Sequence, residues 1–172
     1  MKKVIFQCVV AVLVFSACQQ SPVRYTQNSP EIDMVKKLIA NYDSKNFDTS
    51  MYADSSETYY NTNKNPMSAA EAMDYHKQAD SNYASRGFDD EHQEYEMVVT
   101  DKGETWVNSW LDWKGTLAAN GKEIEIPVHL TFQFVNGKIV KEYGYWDPTE
   151  IVLELQKAAA EAKMAEEAEA TE

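Results

Sequence analysis

Between residues 93 and 146 apolar and polar side chains alternate with a period of two, and the dipeptide Asn136-Gly137 breaks the alternation once. A two-residue hairpin loop needs positive φ at both central positions, which Gly adopts freely and Asn more readily than other residues. The segments 123–135 and 138–146 are therefore predicted to form an antiparallel hairpin whose side chains point to opposite faces in turn. Ile126, Val128, Leu130, Phe132 and Phe134 fall on one face with Trp146, and simple parity adds Val140 to them. Glu125, His129, Thr131 and Gln133 share the other face with Tyr143 and Tyr145. Turn chemistry at 101–103 and 119–122 adds strands at 93–100 and 105–117, so the second half of the chain reads as a meander of long strands. All four Trp lie in it: Trp106 and Trp110 share a parity that Trp113 does not. One set belongs in the core and the other in an interface, with an aromatic ligand cage as the alternative.

The first half follows a different period. Ser29-Pro30 has the form of a helix N-cap and first helical residue, and Ile32, Val35, Leu38, Ile39 and Tyr42 recur on one helical face. A helix is predicted over 30–45, a turn or helical piece over 47–53, a short strand over 57–61 and a turn over 61–66. Ser68 with Glu71 forms a capping box for a second helix over 69–83, and Gly87 closes the connection. Asp147-Pro148-Thr149-Glu150 caps a last helix that packs Ile151, Val152 and Leu155. Its continuation, 157–172, is rich in Ala and Glu and carries Met164 as its one large apolar residue, so it is expected to be a solvated helical tail. Helices first and strands after make an α+β protein.

At the N-terminus Lys2 and Lys3 precede an apolar run over 4–15, too short to span a hydrocarbon core of ~30 Å as a helix. Ser16-Ala17-Cys18 resembles a lipobox, although Phe15 stands where Leu is usual. The expectation is a bacterial lipoprotein: signal peptide 1–17, Cys18 as the acylated (palmitate-carrying) N-terminus, a flexible tether over 18–29, a domain over 30–156 and the tail beyond. An ordinary secretory signal and an uncleaved anchor are the alternatives. Acyl chains hold a domain at a membrane because each buried methylene contributes about 0.8 kcal/mol. Gln19-Gln20 lacks an acidic cluster, which favours a periplasm-facing envelope protein. Cys8 leaves with the signal, so no disulfide is expected. Loss of Lys2 and Lys3 takes the formal charge from -12 to -14, which disfavours nucleic acid as a partner.

Three segments carry a family resemblance: Phe47-Asp48 leading to Met51-Tyr52-Ala53-Asp54; Trp113-Lys114-Gly115-Thr116; and the hairpin 130–140 followed by Tyr143-Gly144-Tyr145-Trp146-Asp147. In order and spacing they resemble the nuclear transport factor 2-like fold shared by ketosteroid isomerases and SnoaL-like polyketide cyclases. That resemblance implies a cone, with a curved antiparallel sheet packed on the N-terminal helices and a cavity at its open end, and a homodimer across the outer sheet face. The positions that act in ketosteroid isomerases fall near Leu38, Tyr60 and Leu130. Leu cannot donate a hydrogen bond to a dienolate, so steroid-type isomerisation is rejected.

The resulting expectation is a domain that binds a small apolar or amphipathic molecule, with Tyr60, Leu130 and Trp146 as ligand-binding residues. Two alternatives stand beside it, a SnoaL-like acid–base enzyme and a non-catalytic interaction module. His76 and Glu142 are the candidates for acid–base work. His76 shares a helical face with Ala72, Tyr75, Ala79 and Tyr83; Glu142 lies on the Trp146 side of its strand, where burial without a partner would be costly and a place near the rim is expected. His129 points outward by parity, and capping accounts for Asp147. The three His lie on different elements, so no metal site and no cofactor are expected.

Overall fold

The computed structural model describes residues 23–170; the expected signal peptide, Cys18 and the first part of the tether lie outside the described residues. The elements are β1 (Tyr25–Thr26), α1 (Pro30–Asp43), β2 (Tyr52–Tyr60), α2 (Ala69–Ala79) with a 3-10 turn at Asp80–Asn82, β3 (Tyr83–Val99), β4 (Thr105–Leu117), β5 (Glu123–Val135), β6 (Lys138–Tyr145) and α3 (Thr149–Glu169). One sheet of six strands runs in the order β1-β3-β4-β5-β6-β2. β3 to β6 form the antiparallel meander, with Asn136 and Gly137 at φ 52° and 72° in the hairpin turn. β2 joins the free edge of β6 in parallel, which makes the sheet mixed where a purely antiparallel one was expected.

The caps act as their chemistry dictates. Ser29 Oγ accepts from Ile32 N at 3.3 Å, and Ser68 and Glu71 form the reciprocal box. Asp147 Oδ1 accepts from Thr149 N at 2.9 Å, although α3 begins one residue later than Pro148. α1 stops at Asp43, two residues early, because Ser44 Oγ turns back to the Ala40 carbonyl at 2.8 Å and Lys45 takes φ 58°. Residues 25–26 of the expected tether are held in the sheet, where Tyr25 pairs with Val98 and Thr26 with Met97.

Three further boundaries differ from expectation for a tertiary reason. β3 begins at Tyr83 and runs through Gly87, because the Asp43 carboxylate accepts the Phe88 amide at 3.0 Å. A Cβ at Gly87 would stand 3.1 Å from that same oxygen, so the glycine permits close helix–strand approach and ends nothing. β2 starts at Tyr52, its first half hidden in sequence by the polar run Asp54-Ser55-Ser56. In β6, Ile139 faces Phe134 and Lys141 faces Gln133, leaving Val140 as a bulge. Parity therefore flips at Val140, and Ile139 takes the inward place expected of Val140, with no exposed area.

Ile32, Val35 and Leu38 of α1 pack on Val107, Leu117, Phe132 and Ile139 of the sheet, all buried. Each such side chain contributes about 1.5–3 kcal/mol relative to exposure. The outer face carries a ladder of rings, with Tyr59 on Tyr143 at 4.8 Å between centroids, Tyr145 beside Tyr143 at 6.4 Å, and Trp110 on His129 at 5.1 Å. The first turns of α3 are tied to the β4–β5 turn, where Lys122 Nζ meets Glu150 at 2.8 Å and Glu154 at 2.9 Å; no residue of α3 is fully buried.

Candidate functional site

The inner face of the sheet, α1, α2 and the start of α3 enclose a cavity of about 130 Å³. Its apolar walls are Leu38 and Ile39 from α1, Met73 from α2, Trp113, Ile126, Val128 and Leu130 from the sheet, Trp146 after β6 and Ile151 from α3. Tyr42, Tyr52, Tyr60, His76 and Glu142 line it too. All five residues singled out from the sequence, Tyr60, His76, Leu130, Glu142 and Trp146, thus border one space.

Leu130 faces Gly144 across the β5–β6 register. A Cβ on Gly144 would lie 2.8 Å from the Trp146 ring, 2.9 Å from Tyr60 Cδ1 and 3.1 Å from Leu130 Cδ2. The absent side chain is what lets these three residues converge. Trp146 is fixed further by its backbone N–H, which donates to Asn61 Oδ1 at 3.0 Å. Gly115 serves the same purpose for Trp113, whose ring occupies the space where a Cβ would stand.

Glu142 is 4% exposed, well inside the fold and not at the rim. Its oxygens are met by hydroxyls: Tyr52 donates to Oε2 at 2.8 Å, Thr58 to Oε2 at 3.3 Å and Tyr60 to Oε1 at 3.3 Å. Among the described residues no Lys, Arg or His forms an ion pair with it. Burial raises its pKa to about 6, against the opposing pull of the three hydroxyls. Tyr60 is pushed well above the usual phenol range by burial and by the neighbouring Glu142 charge.

Tyr60 Oη also lies 2.9 Å from His76 Nε2. Burial, and then the nearby Arg86 charge, lower His76 to about 4, so it is neutral near pH 7. A phenol has one proton to give. With Glu142 ionised, Tyr60 donates to the carboxylate and accepts from the Nε2–H tautomer of His76. With Glu142 protonated, that constraint lifts and Tyr60 is free to donate to His76 instead. The chain Glu142–Tyr60–His76 therefore has two proton arrangements.

A second group braces the wall. The Arg86 guanidinium lies over the Tyr42 ring at 3.8 Å, donates through Nη1 to the Tyr42 carbonyl, and pairs through Nε with Asp80 Oδ1 at 2.7 Å. Tyr42 Oη in turn accepts from Trp113 Nε1 at 2.9 Å, and its ring meets His76 edge-on at 5.2 Å.

Tyr52, Thr58, Tyr42 and Arg86 are the residues that sequence reading missed. Tyr52, Thr58 and Tyr60 are of equal parity, a signal that a strand starting at residue 57 does not contain. Arg86 sat in what read as a connection. Of the other His, His129 stacks on the outer face between Trp110 and Tyr145, and His92 is exposed beside Asp89 at 3.4 Å. Among the described residues no cluster of His, Cys, Asp or Glu could hold a metal ion.

No protein-family model and no curated protein matches this sequence. Solved structures do match it in shape. A candidate polyketide cyclase from Xanthomonas campestris pv. campestris superposes with a TM-score of 0.58 at 14% identity, over 70% of this chain and 93% of that one. A nuclear transport factor 2-like protein of unknown function from Burkholderia pseudomallei gives 0.58 at 11%, over 73% and 96%. A hypothetical protein with a ketosteroid isomerase-like fold from Catenulispora acidiphila, in complex with trimethylamine, gives 0.54 at 11%, over 69% and 86%. The fold is nuclear transport factor 2-like: a curled sheet around helices, closed by a C-terminal helix.

Proposed function

We propose that this chain binds one small, mostly apolar molecule bearing a single polar group, with the polar group directed at Tyr60, His76 and Glu142. One observation carries the reading: apolar walls converge on a carboxylate that, among the described residues, only hydroxyls satisfy. Pockets that combine apolar walls with a few convergent polar groups of shifted pKa are the common form of a ligand site. The volume narrows the choice. A cavity of about 130 Å³ is close to the ~150 Å³ of an engineered cavity that admits benzene, so one ring or a short branched chain fits. A four-ring steroid or aromatic polyketide exceeds that volume. One neighbour of the same fold was solved with trimethylamine, a molecule of this size class.

Intrinsic fluorescence tests the reading. Titration with cyclohexanone, phenol and hexanoic acid is expected to give a saturable change with at least one of them, reduced in Trp146→Phe, where Trp113 remains as the cavity's reporter, and unchanged in Trp106→Phe. No response to any small apolar probe would remove the pocket reading. A second reading, acid–base catalysis, is favoured by the Glu142–Tyr60–His76 chain, since a carboxyl group with a pKa near 6 serves as a general base at neutral pH. Its mark would be exchange of ketone α-protons into deuterated water, abolished in Glu142→Gln.

The lipobox-like Ser16-Ala17-Cys18 supports an envelope location with the domain tethered through Cys18. Cys18→Ala is expected to move the protein from the detergent phase to the aqueous phase. Unchanged partition would count against lipidation.

A further inference from the structure

The ring edges and faces around the cavity form a nearly continuous wall. Trp146 meets Tyr60 at 5.1 Å between centroids, Tyr60 meets Tyr75 at 5.8 Å, Tyr75 meets His76 at 5.4 Å, and His76 meets Tyr42 at 5.2 Å. Within this wall lies a buried carboxylate whose only partners among the described residues are hydroxyls. Hydroxyls satisfy its lone pairs and leave its charge uncompensated, a costly arrangement in a low-dielectric interior. Aromatic faces carry negative potential and attract cations, most strongly where water is excluded. The chain as a whole adds a long-range field of the same sign, with a formal charge of -12.

We infer that the cavity's ligand is a small organic cation, an alkylammonium or quaternary ammonium compound, whose head sits among Tyr60, Tyr42 and Trp146 and is neutralised by Glu142. The inference rests on the pocket reading above and adds charge to it. Both features of the site favour positive charge. The rings supply a surface on which methyl groups lie without losing hydrogen bonds, and the carboxylate supplies the counter-charge. A neutral ligand of the same shape would leave Glu142 unpaired. Arg86, whose charge acts on His76, is already engaged by Asp80 at 2.7 Å and by the Tyr42 ring.

The test compares choline with 3,3-dimethylbutan-1-ol, which has the same shape and no charge, by calorimetric titration of the full chain at constant ionic strength. At pH 7.5 choline is expected to bind at least tenfold more tightly than the alcohol. In Glu142→Gln the two should bind within threefold of each other, through weakening of choline alone. Should that variant fail to fold, the wild type carries the same test through pH, because choline does not titrate. Between pH 7.5 and 5 the groups that meet Glu142 directly or through Tyr60 keep their charge: Tyr52, Thr58 and Tyr60 from β2 stay neutral and His76 from α2 stays neutral down to about 4; Arg86 from β3, whose charge acts on His76, is in an ion pair with Asp80. The choline preference should therefore fall at least fivefold as Glu142 protonates.

Equal or tighter binding of the alcohol in the wild type would overturn the cation assignment and leave the pocket intact. So would binding of cyclohexanone, phenol or hexanoic acid without binding of choline. Silence towards every probe would overturn both readings together.

Discussion

Trp113→Ala is expected to destabilise the domain by about 3–5 kcal/mol, the usual range for removing a buried aromatic ring. Trp113 is 7% exposed, packs edge-on against Tyr83 at 5.2 Å, and its Nε1–H donates to Tyr42 Oη. Its loss would enlarge the cavity and free Tyr42, so the remaining wall could collapse inward only in part. Trp110→Ala is the comparison, because Trp110 is 44% exposed on the outer face and its truncation should cost no more than about 1 kcal/mol. Urea unfolding of both variants measures the difference. Similar midpoints would mean that Trp113 is not buried as described, and the cavity wall with it.

The second large effect is a reversal of acid sensitivity in His76→Gln. In the folded protein His76 resists protonation, with its pKa lowered from 6.5 to about 4. Below pH 6.5 the unfolded chain therefore binds more protons at this position, and stability falls as pH drops from 6.5 towards 4. At 1.36 kcal/mol per unit the loss reaches roughly 3 kcal/mol. Glu142 works in the opposite direction. Its pKa is raised from 4.5 to about 6, so the folded chain binds the extra proton and stability falls by about 2 kcal/mol as pH rises through that window.

In the wild type the two slopes largely cancel between pH 4.5 and 6. Removing the imidazole takes away the slope that opposes Glu142's. The stability of His76→Gln relative to wild type is expected to improve by up to about 3 kcal/mol between pH 7.5 and 4, read from urea unfolding at both pH values. Carboxylates elsewhere contribute equally to both proteins and drop out of the difference. A constant difference across that range would show that His76 is not held neutral by burial.

The reason these groups matter to each other is Tyr60, which touches both. Its sequence neighbourhood does point to it: the Thr and Tyr content of 57–61 suits a strand, and the family resemblance implies an acting position near Tyr60. What sequence could not supply was its company. Tyr52, Thr58 and Glu142 meet because β2 lies parallel against β6, with Thr58 opposite Glu142 and Tyr60 opposite Gly144. Parallel pairing of strands more than eighty residues apart leaves no local periodic mark, since each strand shows only its own alternation. Glu142 was expected near the rim on the general cost of burying charge. Three hydroxyls from another strand are what make its deep position tolerable, and nothing near residue 142 announces them.

By itself the sequence determined the local elements: the Asn136-Gly137 hairpin, the inward set from Ile126 to Phe134, the Ser29 and Ser68 caps and the solvated tail. These follow from turn geometry, from period-two or 3.6-residue repeats and from capping hydrogen bonds, all of which act over a few residues. The tertiary structure alone decided where parity flips at Val140, why Gly87 and Gly144 lack side chains, and that β2 closes the sheet beside β6. It also brought the Arg86 brace under Tyr42 and gathered the hydroxyls around Glu142. Those depend on steric contact and charge between groups forty to ninety residues apart, and such contacts exist only once the sheet has curled around the helices.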